Sequence, residues 1–251
     1  MVRRFWRTMF ALTVLSIAFT TASWAYLFAS GVAIHPPALR SQLLSLPTGI
    51  PSLWSVVQPD TDTVWWAPII VLLVQSFLTG GFYGSLVRAN TGRPGSPAAF
   101  VMDGMRSFWR LLLWNLLWVG MNLLLAGVVQ VFPQANAPLA AIVLAARYLC
   151  LFVDVALVAE RHVHAAFKSA FVSLLRGLVS LIPLSVTIVF LTGLALSLAA
   201  EVSWIDLLAI GWLYSAAMTW LLHMVTARYL WLANWHTGPS AASSPPLPTH
   251  R

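Results

Sequence analysis

Six long apolar stretches separated by short polar or basic connections dominate the chain, at residues 8–33, 64–87, 111–132, 138–159, 178–200 and 204–227. A helix needs about 20 mainly apolar residues to cross the hydrocarbon core of a bilayer, and each stretch is of that order. The pattern predicts an all-α fold, a polytopic membrane helix bundle of six transmembrane helices in three hairpins. The links at 133–137 and 201–203 are short enough to force spans three and four, and spans five and six, into antiparallel pairs. Pro183 lies early in span five and predicts a kink there.

Two of the connections carry a different pattern. In the later one, Val163, Ala166, Phe167, Ala170, Phe171, Leu174 and Leu175 recur at helical spacing, with Lys168, Ser169, Ser173 and Arg176 off the stripe. In the earlier one, Ser96 is an N-cap candidate and Pro97 suits the first helical position. These read as two cytoplasmic interfacial amphipathic helices lying in the headgroup plane, apolar face down; the alternative is a coupling surface for a soluble partner. A shift of 66 residues lays Gly104, Ser107 and Arg110 on Ala170, Ser173 and Arg176 without a gap, a weak internal repeat. Gly80-x-x-x-Gly84 and Gly81-x-x-x-Ser85 suit close helix packing.

Composition sharpens this picture. Of the 251 residues 59% are hydrophobic and 8% charged, against roughly 25% charged in soluble domains. So few charges cannot cover a soluble surface, which argues against soluble, disordered and nucleic-acid-binding classes. The net charge is +7. Twelve of the fourteen basic residues fall on one side of the predicted spans and only Arg40 on the other, with Arg147 inside span four. The positive-inside rule then puts both termini in the cytoplasm of a multi-pass plasma-membrane protein. Anionic inner-leaflet lipid is the expected partner of the basic side, with no nucleic acid. The lone Cys150 excludes an intrachain disulfide and a cysteine-rich metal site. Arg3, Arg4 and Arg7 before an apolar run resemble a signal peptide, but bulky Trp24 and Tyr26 flank a poor cleavage site, so the segment reads as a retained span. The expected organisation is one bundle domain at 1–235 and a disordered cytoplasmic tail at 236–251, rich in Ser and Pro. The outer loop at 34–63 is apolar enough to lie on the interface or cap the bundle.

Ionisable groups inside a span are functional candidates. Arg147 lies near the middle of span four, and Asp154 follows two turns later on the same predicted face. Asn115 and Asn122 on span three are placed by the predicted hairpin to hydrogen-bond either. The four form a candidate intramembrane polar site, read either as a structural clamp between helices or as a substrate or proton site. His223 is a weaker candidate that can titrate near neutral pH. Glu160, His162 and His164 lack a third ligand, so no metal site is assigned. Gly92-Arg93-Pro94-Gly95-Ser96 lacks the ending of a phosphate loop, and no catalytic motif is recognised. No cofactor and no catalytic residue are expected.

Gly80-Gly81-Phe82-Tyr83-Gly84 leads to a segment with Phe100, Asp103, Gly104 and Arg106; later, Asp154 to Glu160 leads to Ala165-Ala166-Phe167-Lys168-Ser169. Over most of 8–233 this resembles the loosely defined bacterial six-helix membrane protein families that include the membrane domain of glycerophosphoryl diester phosphodiesterases. The resemblance implies a bacterial plasma-membrane bundle. It does not imply phosphodiesterase activity, because the membrane domain is not the catalytic part. The expected function is that of a non-enzymatic accessory or assembly component of the membrane with a membrane or soluble protein partner. The alternative is a small transporter or permease built around Arg147 and Asp154, and a third reading is a lipid enzyme using Glu160 with His162 or His164.

Overall fold

The computed structural model describes residues 2–29, 67–93, 95–132, 134, 136–199 and 204–234. The segment at 34–63, expected to be an outer loop, and the expected tail at 236–251 lie outside them. Among the described residues there are seven α-helices and no strand: α1 (Val2–Ala29), α2 (Ala67–Asn90), α3 (Pro97–Val131), α4 (Asn136–Leu149), α5 (Val153–Ala159), α6 (Val163–Ala199) and α7 (Trp204–Asn234). The all-α class is as the hydropathy pattern predicts. Two helical stretches, 163–195 and 208–233, are long and apolar enough to cross a membrane by length and composition among the described residues.

The helices start and stop for local reasons. Gly92 takes φ 70°, a left-handed conformation that ends α2 at little steric cost. Ser96 then caps α3 as expected: its side chain accepts from the Ala99 N–H at 3.1 Å, with Pro97 in the first turn. Pro183 does not interrupt α6, which continues through it to Ala199.

Three expectations need correction. First, the amphipathic segments are not separate helices. Each continues without a break into the apolar stretch behind it, giving α3 of 35 residues and α6 of 37. No Pro or Asx signal separates segment from span, and Gly177 at the second boundary stays helical against Leu232, so nothing releases the backbone hydrogen bonds between them. Second, span four is not one helix. It divides into α4 and α5 around a turn at Cys150–Phe152, where the Leu151 N–H reaches the Tyr148 carbonyl and the Val153 N–H that of Cys150. Third, α3 takes α2 rather than α4 as its intimate partner, while α4 packs chiefly on α6. A five-residue link brings helix ends together, but side-chain shape along the helices decides which surfaces close.

The small residues decide it. Gly80, Gly81 and Gly84 of α2 face Phe100, Asp103, Gly104 and Ser107 of α3. A Cβ on Gly80 would lie 3.0 Å from the Gly104 Cα, and one on Gly104 would lie 2.9 Å from the Phe77 carbonyl oxygen. The backbones therefore touch, as small-x-x-x-small motifs allow. The same logic turns α6. Its buried side is Ala166, Ala170, Ser173, Leu174, Gly177 and Leu181, so Ser173 moves in while Val163, Phe171 and Leu175, expected on the stripe, turn out. The 66-residue shift relates equivalent positions here: Gly104/Ala170, Ser107/Ser173 and Leu111/Gly177 are buried, and Met105/Phe171, Trp109/Leu175 and Leu113/Val179 are exposed.

The seven-residue α5 sits in the middle, against α2, α3, α6 and α7. Phe152, Val153, Val155 and Ala156 are wholly buried, with Phe152 against Tyr229 at a ring separation of 5.6 Å. The α1, α7 pair is antiparallel: Phe5 stacks edge-on with His223 at 4.9 Å, and the Trp212 Nε1–H donates to Thr21 Oγ1 at 2.9 Å. These contacts gather the start of α1, the α2–α3 turn, the α5–α6 turn and the end of α7 at one end of the bundle, which also carries exposed Arg7, Arg93, Arg106, Arg161, Lys168 and Arg228.

Candidate functional site

The polar side chains of the described bundle concentrate at this basic end. Arg88, in the last turn of α2, reaches over the turn to Asp103 in the second turn of α3. Its Nε donates to Oδ2 at 2.6 Å and its second amino group to Oδ1 at 2.9 Å. This is the bidentate fork that planar guanidinium and carboxylate groups favour.

A second cluster joins α3, α5, α6 and α7. Arg110 donates to the Glu160 carbonyl oxygen at 2.6 Å, capping the exposed end of α5 with a cation. Burial lowers the Arg110 pKa, and neighbouring Arg106 lowers it further. The Glu160 carboxylate accepts from the Tyr229 hydroxyl at 3.3 Å, and Tyr229 also meets Ser169 Oγ at 3.0 Å. Tyr229 is fully buried and touches Phe152, so one phenol links α5, α6 and α7. Tyr229→Phe should cost about 1 kcal/mol of stability; an unchanged unfolding midpoint in detergent would show that the Glu160–Tyr229–Ser169 chain contributes nothing to the fold.

His223 belongs to a third group. Its Nδ1 lies 3.0 Å from Asn90 Nδ2, and Phe5 and Trp220 pack edge-on against the ring. The Asn90 amide donates, so Nδ1 is the acceptor and the neutral ring carries its proton on Nε2. His223 thus joins the end of α2 to α7 and α1.

Of the predicted quartet, Asn115 and Asp154 have described side chains. Asn115 is half-buried and donates to Ser76 Oγ on α2 at 3.0 Å, so it serves the α2, α3 pair. Asp154 is half-buried in the first turn of α5, where a carboxylate suits the helix dipole. Arg147 is on α4, across the Cys150–Phe152 turn from it, so the two do not share one helix face. The side chains of Arg147 and Asn122 lie outside the described residues. His162 and His164 are exposed, while Glu160 turns to Tyr229.

Deeper in the bundle, polar groups are hidden locally. Ser76, Thr79, Thr219 and Thr226 are buried and donate to carbonyls one turn back, at 2.7–2.8 Å. Such back-bonding lets a hydroxyl sit in an apolar core without a cross-helix partner. Thr192 does this and also meets the Tyr214 hydroxyl at 2.9 Å, joining α6 to α7.

Sequence reasoning missed Arg88–Asp103 and Glu160–Tyr229–Ser169 as units. The first was within reach: both residues flank the 91–96 turn, and a hairpin there brings them together. The second joins residues 60 and 69 apart along the chain, with no local signal. What these clusters do chemically is tie helix ends to one another by charge-assisted and shared hydrogen bonds, with a Glu–Tyr–Ser chain at the centre. No family model, curated protein or solved structure matches this chain.

Proposed function

We propose that the chain is a six-span plasma-membrane bundle with both termini cytoplasmic, acting as a non-enzymatic accessory or assembly component. One observation carries the membrane reading: many large apolar side chains are exposed along the helices while small hydroxyl side chains are buried between them. Trp109, Leu124, Val179 and Leu213 are each more than two-thirds exposed, and Ser76, Ser107, Thr219 and Thr226 are buried. Water as solvent would reward the opposite arrangement; lipid rewards this one. The spans are then α1, α2, α4 with α5, α7, and the later parts of α3 and α6, with the basic end inside. The resemblance to bacterial six-helix families fits the same reading. An accessory role agrees with polar clusters whose groups are engaged in joining helices.

Membrane fractionation and native co-purification test it. The protein should resist alkaline carbonate extraction. In a Cys150→Ser background, a cysteine at Arg93 should react only with a membrane-permeant thiol reagent, and one at Arg40 with an impermeant one as well. A stoichiometric protein partner should co-purify. Release by carbonate would refute the membrane reading, and a partner-free complex in native membranes would refute the accessory role.

A second reading has its own support. A helix interrupted at Cys150–Phe152, between Arg147 and Asp154, is the kind of break that transporters use to build substrate sites. Arg147→Ala with normal folding but lost solute flux in vesicles, rescued by Arg147→Lys, would favour it. Loss of folding would favour a structural clamp.

A further inference from the structure

Four helices carry an outward cation and ring at the basic end, in reversed order along the bundle on α7, which runs antiparallel to α1. Arg7 precedes Phe10 on α1, Arg106 precedes Trp109 on α3, Lys168 precedes Phe171 on α6 and Arg228 precedes Trp231 on α7, each by three residues. That spacing puts cation and ring on one helix face. All eight residues are exposed. On α7 the pairing is realised directly, with the Arg228 guanidinium 5.4 Å from the Trp231 ring centre. The nearby carboxylates are committed elsewhere, Asp103 to Arg88 and Glu160 to Tyr229, so the outward cations dominate the local field.

Resting on the membrane reading, we propose that these four pairs bind the headgroups of anionic phospholipids and enrich them around this end of the bundle. The guanidinium and ammonium groups donate to the lipid phosphate. The Trp109 and Trp231 indoles suit the headgroup boundary, where amphipathic rings settle, and Phe10 and Phe171 add apolar contact beside their cations. Their placement on four helices, rather than in one pocket, makes this a girdle of shallow sites. Charge complementarity selects anionic over zwitterionic lipid; ring contact alone would select neither.

The test is lipid selectivity of the full-length protein in phosphatidylcholine vesicles, using spin-labelled phosphatidylglycerol and spin-labelled phosphatidylcholine as probes. The motionally restricted fraction should favour phosphatidylglycerol by about fivefold per occupied site. That preference should collapse in 1 M NaCl, where the screening length is only about 3 Å. It should also collapse in Arg7→Gln/Arg106→Gln/Lys168→Gln/Arg228→Gln and survive in the variant that exchanges Arg for Lys and Lys for Arg. If the quadruple variant does not fold, the four single variants should each remove part of the preference. Equal restriction of both probes by the wild type, or a preference unchanged by the substitutions, overturns the proposal. The absence of any restricted lipid would instead refute the membrane reading on which it rests.

Discussion

Alanine at Gly104 or Gly80 should destabilise the protein by about 1–3 kcal/mol, measured as a lowered unfolding midpoint by tryptophan fluorescence in detergent. The added Cβ at either position meets backbone. On Gly104 it lies 2.9 Å from the Phe77 carbonyl oxygen, and on Gly80 it lies 3.0 Å from the Gly104 Cα. Flexible side chains can move by a few tenths of an ångström, but two packed helix backbones move only by separating. Separation would also pull Arg88 from Asp103, because both groups hang on the same two helices. The two glycines face each other, so the double variant should cost less than the sum of the singles. Gly120 and Gly127, on the same α3, have nothing within 4 Å of an added Cβ. Alanine there should be neutral or stabilise by up to about 1 kcal/mol through helix propensity. Equal effects at Gly104 and Gly120 would contradict the seam.

Removing one half of the Arg88–Asp103 pair should have the next largest effect. Asp103→Ala leaves a part-buried guanidinium without its carboxylate, and Arg88→Ala leaves the carboxylate without its fork. Each should cost about 1.5–3 kcal/mol, the range for hydrogen bonds to charged groups. Arg88→Lys should recover only part of that, since an ammonium cannot make both parallel bonds. The double-mutant cycle isolates the pair: Arg88→Ala/Asp103→Ala should cost less than the two singles added. Strict additivity would mean that the pair seen at 2.6 Å and 2.9 Å carries no coupling. The geometry predicts coupling because the turn at 91–96 holds both ends at the reach of one arginine.

Much of the helix inventory was legible in the sequence because helix formation is local. Ser96 and Pro97 announce the start of α3, and long Leu-, Val- and Ala-rich runs announce the rest. The break at Cys150–Phe152 was not legible. Tyr148-Leu149-Cys150-Leu151-Phe152 contains no glycine, proline or turn residue, and the turn is set by packing of Phe152 and Val153 into the centre of the bundle. Hence Arg147 and Asp154, which spacing alone put on one helix, stand on two, with no local warning of the break. Asn115 was recognised as an interhelical polar residue, but its bond to Ser76 on α2 was not foreseen.

The amino-acid sequence by itself determined that this chain is helical, that its charges are few, and that its basic residues alternate with apolar stretches in a one-sided order. Those properties depend on composition and on spacing along the chain. The tertiary structure alone decided which faces meet. In a chain where both sides of a helix are apolar, polarity cannot tell inside from outside. Shape does: the glycines of α2 and α3 and the Ala–Ser–Gly side of α6 close on their neighbours. The same closure brings Glu160, Ser169 and Tyr229 together from residues 60 and 69 apart along the chain.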